Sequence, residues 1–261
     1  MRMRRPVRGL AAGLLVLVVL SAACSGGDDP QASNGSGASS PPATEVALTE
    51  EQRITLSQIL VKNFEAGGAV VDVRLPGGTS SMTAELDFAR NLGHATAVND
   101  GETVEFYFRP GEVLDGTIPG LAEALAASGQ EGIRYVARPL EPTYSVLDQI
   151  SAVLLGLSSE RRENPVALAD QDIAYVGQRR VGERTADVYR FGDSTVYLVD
   201  AELGTMLGLD ATLASVEGIV EIRVRVLGPQ EVRGPRGTEV VQGADIAELF
   251  AGIDLARVSV S

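Results

Sequence analysis

From Thr49 onward the hydrophobic pattern switches between a helical period and a strand period. Thr49-Glu50-Glu51-Gln52 has the order of a capping box. Behind it Leu56, Ile59, Leu60 and Phe64 fall on one helical face, so the spacing predicts a helix over Thr49–Glu65, stopped by Gly67-Gly68. The period then drops to two. Val71, Val73 and Leu75 alternate with Asp72 and Arg74. After the Pro76-Gly77-Gly78 turn, Met82, Ala84, Leu86 and Phe88 alternate with Thr83, Glu85 and Asp87. A short strand over His94–Val98 leads to the hairpin signal Asn99-Asp100-Gly101. Beyond it Val104, Phe106 and Phe108 alternate with Glu105 and Tyr107. Such alternation predicts an antiparallel meander with one apolar face and one wet face.

The middle of the chain breaks this rhythm. Pro119–Ser128 is rich in Ala and Leu and predicts a helix, Ile133–Arg138 a short strand, and Thr143–Leu157 an amphipathic helix with Val146, Ile150, Val153, Leu154 and Leu157. Asn164-Pro165 supplies an N-cap and a first-turn proline for a short helix over Pro165–Asp170. Strands then resume at Ala174–Arg180, Thr185–Phe191, Thr195–Val199, Thr205–Asp210 and Ile219–Leu227, and Asp245–Phe250 predicts a last short helix. In the Asp200–Gly204 turn, Asp200 is placed to accept backbone N–H bonds and Gly204 to adopt positive φ. Runs of consecutive strands around a helical insertion predict an α+β fold. A long antiparallel sheet must twist and curve, and the helices over Thr49–Glu65 and Thr143–Leu157 are the elements available to cover its concave apolar face.

The first 47 residues follow other rules. Arg2, Arg4, Arg5 and Arg8 precede the apolar run Leu10–Leu20, which is shorter than the roughly 20 residues of a spanning helix. Ser21-Ala22-Ala23 and then Cys24 follow. This order resembles a bacterial lipoprotein signal peptide, with Ser21 where the lipobox commonly has Leu. The resemblance implies a signal peptide over residues 1–23 and a diacylglyceryl group on Cys24. That anchor would hold the protein on the extracytoplasmic face of a cell membrane. Cys24 is the only cysteine, so no internal disulfide is expected. Residues 24–47 read as a flexible Gly-, Ser- and Pro-rich tether, and 48–258 as one domain.

Charge narrows the function classes. The chain carries −13, and loss of the four N-terminal arginines takes it to −17, which repels phosphate backbones and argues against nucleic-acid binding. Signals for catalysis are weak. The single histidine, His94, has no nucleophile or orienting partner visible from sequence, and no P-loop, G-x-S-x-G or H-E-x-x-H motif appears. Asp170 with Asp172, and Asp200 with Glu202, read as turn and helix-end residues rather than metal ligands. No catalytic residue, metal or cofactor is expected.

The order of elements, together with the hairpin Tyr197-Leu-Val-Asp200-Ala-Glu-Leu-Gly204-Thr-Met-Leu207, resembles the LolA-like superfamily of the LprG/LppX type. The resemblance implies an open half-barrel whose concave face holds acyl chains beneath a helical lid. It implies a lipid or lipoglycan ligand, or, as in envelope-stress regulators of that superfamily, a membrane-protein partner without lipid cargo. Under the first implication Val71, Val73, Leu86, Phe88, Phe106, Phe108, Ile222 and Val224 are the expected lining.

Overall fold

The computed structural model describes residues 46–246, apart from 79, 100, 117, 118, 128 and 144. These lie in one compact unit. Cys24, the signal segment, the tether up to residue 45 and the chain beyond 246 lie outside the described residues.

Helix α1 (Glu50–Ala66) opens with the expected capping box: Thr49 accepts from the Gln52 amide, and the Gln52 side chain accepts from the Thr49 amide. Gly67, at φ 87°, ends it. Five strands follow as a meander: β2 (Gly68–Arg74), β3 (Ser80–Asp87), β4 (Leu92–Asn99), β5 (Glu102–Arg109) and β6 (Glu112–Gly116). The insertion carries α2 (Pro119–Ala127), β7 (Tyr135–Pro139), α3 (Val146–Leu155) and α4 (Pro165–Leu168). The second strand block is β8 (Ile173–Val181), β9 (Arg184–Phe191), β10 (Thr195–Asp200), β11 (Met206–Thr212) and β12 (Ile219–Leu227). Two short strands, β1 (Val46–Ala47) and β13 (Val240–Gln242), complete it.

All thirteen strands among the described residues join one open sheet, in the order β1-β8-β9-β10-β11-β12-β2-β3-β4-β5-β6-β7-β13. Every pairing is antiparallel except β13 on β7. The β12–β2 pairing fuses the two strand blocks. The fold is thus the expected α+β class, a curved open sheet with helices on one face.

Several details differ from the sequence reading, the unexpected strand β13 among them. Val46 and Ala47 pair with Tyr175 and Ala174, so a short strand that was not expected lies just ahead of Leu48. Strand β6 was not expected; Val113 and Leu114 are buried on opposite faces, which erases the alternation that would announce it. In place of the start of a helix at Asp245 the described chain has a 3-10 turn, Gly243–Ile246.

Register defines an inner face. One row runs Val224, Val71, Ala84, Ala95, Phe106, Asp115, Val136 across seven strands. A neighbouring row runs Ala69, Leu86, Gly93, Phe108, Val113, Arg138. Helices α1 and α3 lay Leu56, Ile59, Ile150 and Leu154 on this face and close the main core. Among the described residues no helix is long and apolar enough to cross a membrane.

Candidate functional site

The expected lining falls in the main core. Val71, Val73, Leu86, Phe88, Phe106, Phe108 and Ile222 are buried there with side chains of α1 and α3, and Val224 packs at its margin. Phe108 and Val73 have no accessible surface, nor do Ile150 and Leu154 above them. The Phe108 ring lies on the bare backbone of Gly93, so tightly that a methyl group at Gly93 would overlap it. The eight residues thus share one face as expected, and the protein's own side chains occupy the space beside them.

At the β6–β7 end this apolar face carries charge. Arg138 Nη1 and Nη2 donate to the two carboxylate oxygens of Asp148 at 2.7 and 2.8 Å, and its Nε donates to Asp115 at 2.5 Å. Asp148, in the first turn of α3, is 1% exposed and also accepts from the Glu141 amide at 2.8 Å. The triad ties α3 to the sheet edge. Burial pushes the Asp115 carboxyl above its ordinary value, outweighing the opposing pull of Arg138. Burial also works against the Arg138 charge, but hydrogen bonds and the charges of Asp148 and Asp115 hold the guanidinium above its ordinary range. Sequence reading missed this triad because Asp115 and Asp148 are far apart along the chain.

The outer face carries the lone histidine. His94 stacks on Tyr107 with ring centroids 4.5 Å apart, and Nε2 lies 2.9 Å from Glu105 Oε1. Tyr107 meets Tyr135 edge to face at 5.4 Å, and the Tyr135 hydroxyl donates to the same Glu105 oxygen at 3.4 Å. Burial, then the Glu105 charge, push the Tyr135 phenol up to about 12. The histidine thus has an orienting carboxylate that the sequence did not reveal, within a packed aromatic row.

The open concavity lies beside the β8–β9 hairpin, and of the eight expected lining residues Val224 alone borders it. A bulge between Tyr175 and Gly177 and another between Leu198 and Val199 bend β8 and β10. The β8–β9 hairpin arches over its neighbours far enough for Arg179 of β8 to reach Asp210 of β11 at 2.7 Å. Beneath it Ala186, Val188, Leu198 and Leu207 form a small second core. Between the hairpin tip, the β10–β11 turn and the end of β12 a groove of about 890 Å³ opens. Its lining includes the half-buried Val224 and Leu227 with the buried Met206 and Leu207, and carries Arg179, Arg180, Arg184, Arg223 and Arg225 against one acid, Glu183.

Carboxylates outside the lining hold most of these arginines in place. Asp210, 14% exposed, receives Arg223 at 2.5 Å as well as Arg179. Asp200 takes Arg184 at 3.0 Å, and Asp72 takes Arg225 at 3.7 Å. Asp200 also accepts the Glu202 and Leu203 amides, both at 2.9 Å, which with Gly204 at φ 62° sets the turn as the sequence suggested. Lys62 of α1 caps that turn through the Leu203 carbonyl at 2.8 Å. Arg180 has no side-chain partner among the described residues. A smaller adjoining concavity, about 650 Å³, shares Arg180 and Arg184. Among the described residues no group of His, Cys, Asp and Glu is arranged to hold a metal ion.

No family model matches the chain. No curated protein matches it in sequence. Among solved structures it overlays an uncharacterized conserved protein from Thermus thermophilus with a TM-score of 0.40 and 12% identity, over 74% of this chain and 99% of that one. MucB overlays with a TM-score of 0.35 and 14% identity, over 75% of this chain and 64% of MucB. In the Pseudomonas aeruginosa MucA/MucB complex the figures are 0.35, 16%, 72% and 61%. This chain therefore spans less than two thirds of MucB, and overlaps at this level carry neither a family nor a partner across to it.

Proposed function

We propose that this chain is an extracytoplasmic, non-catalytic binding protein, held at a membrane by acyl chains on Cys24, that meets its ligand at its surface. The supporting observation is the contrast between its interior and its groove. The inner face, where the half-barrel resemblance puts an acyl chain, is filled by Phe106, Phe108, Ile150, Leu154 and their neighbours. Beside the β8–β9 hairpin lies an open groove with preset cationic walls. Moving a lipid tail into the interior requires α1 and α3 to leave a core that each fully buried Leu, Ile or Phe stabilises by roughly 1.5–3 kcal/mol.

One observation favours lipid carriage as a second reading. α1 and α3 cover a single continuous apolar surface spanning both strand blocks, so their departure would expose room for an acyl chain. Native mass spectrometry of the full chain purified from its own host separates the two. Surface recognition predicts the acylated protein without a lipid held in its interior. A one-to-one lipid that stays bound when the groove arginines are changed replaces this reading with the carrier.

A further inference from the structure

We propose that the arginine-walled groove is a binding site for a phosphate ester attached to a partly apolar body. This inference rests on the surface-binding reading and names its ligand. Five of the chain's 22 basic residues meet in this one concavity, in a protein whose formal charge is −13. Overall charge of that sign discourages loose adhesion to polyanions. An anion that does bind must then find a local arrangement strong enough to override it.

The groove has the means. A guanidinium offers five N–H donors in a rigid fork that matches phosphate oxygens in pairs. Asp210 engages Arg179 through Nη2 and Arg223 through Nη1, and Asp200 engages Arg184 through Nη1. Arg223 is the most engaged, since its Nη1 also donates to the Leu209 and Ile222 carbonyls and its Nη2 lies 3.5 Å from Glu221. Arg179 and Arg184 keep donors unspent, while their carboxylates fix where each fork lies. Side chains already fixed lose little rotamer entropy when a ligand arrives. Arg180 has no carboxylate of its own and lines both concavities, so its fork is uncommitted when an anion arrives. The apolar lining is a different surface: half-buried Val224 and Leu227, backed by the buried Met206 and Leu207, offer apolar contact beside the charges. A bare inorganic anion would leave that lining unused. The volume, about 890 Å³, lies within the range of small-molecule sites. The shared chemistry fits both the headgroup end of a phospholipid and a free phosphorylated metabolite.

The same ion pairs could serve only to cover the second core, and the choice of variants separates the two roles. Arg180 holds no ion pair, and Arg225 holds only the long contact to Asp72, which also accepts from Thr83. Their removal should leave the fold intact. Detergent-solubilised full chain is titrated calorimetrically with glycerol phosphate and, separately, with monomeric short-chain phosphatidylglycerol. Binding is expected for at least one probe, and it should weaken as salt is raised. Arg180→Gln with Arg225→Gln should lower affinity by about tenfold or more, the loss of charge-assisted hydrogen bonds. Arg233→Gln, an exposed arginine paired only with Glu231, should leave affinity unchanged. Glycerol phosphate binding points to a free ligand, and binding of the phospholipid alone points to a headgroup. Failure of both probes, or binding that the double variant does not weaken, overturns the proposal. That failure is distinct from failure of the surface-binding reading, which falls on an interior lipid instead.

Discussion

Arg138 stands at the end of an inner row that begins with Ala69 and Leu86, where the alternating pattern would place another apolar side chain. It is tolerated because both flanking acids come to it: Asp115 from the adjacent strand and Asp148 from the first turn of α3. The strand around it was legible, since Ile133–Arg138 reads as extended. The charge cluster was not, because register across β6 and the approach of α3 are tertiary facts. Asp148 is the more vulnerable partner. It is almost wholly buried, so Arg138→Ala leaves a carboxylate with its main partner gone. A loss of about 3 kcal/mol is expected, at the low end for a broken buried pair because Arg138 is itself 33% open to solvent. Urea unfolding should show the midpoint falling, and Arg138→Ala with Asp148→Ala together should cost less than Arg138→Ala alone. If the double change costs the sum of the singles, the triad is not a coupled unit.

At the scale of elements, legibility followed locality. The capping box of α1, the Asn164-Pro165 start of α4 and the Asp200–Gly204 turn are each written in residues no more than four apart, and each formed as read. Strands with one wet face were visible through their alternation. β6 was hidden because both its faces are buried, and β13 because three residues pairing in parallel with β7 carry no local signature. Gly93 shows the same limit in one position. Sequence gives no reason for glycine in the middle of β4, yet Phe108 of β5 lies flat on it, opposite in register. Gly93→Ala must displace a fully buried ring, at a cost of about 1–3 kcal/mol. The combination with Phe108→Leu, which shortens the side chain above it, should recover part of that loss. Thermal unfolding of the two variants decides it: a Gly93→Ala protein as stable as the parent would mean that the ring has room to move.

At the scale of the whole molecule, the sheet order explains both why the core was predictable and why the groove was not. Hairpin connections carry the chain through each strand block, and a single long-range pairing, β12 with β2, joins them into one inner face. The apolar residues of that face could therefore be named from alternation alone. The groove depends instead on two bulges that tilt the β8–β9 hairpin until residues 31 apart, Arg179 and Asp210, touch. No periodicity announces a bulge. Both surfaces matter to function only if the molecule is held where its ligand is, which is the task proposed for Cys24. A single acyl chain gives marginal membrane binding, whereas two, at about 0.8 kcal/mol for each buried CH₂, anchor durably. Growth of the host with labelled palmitate should therefore label the wild-type chain and place it in the membrane fraction. Cys24→Ser removes the sulfur that would carry the diacylglyceryl group and should abolish the label, whatever becomes of the leader ahead of it. An unlabelled wild-type chain, or label that survives the substitution, would remove the tether and with it the reason to look for this protein's ligand at a membrane surface.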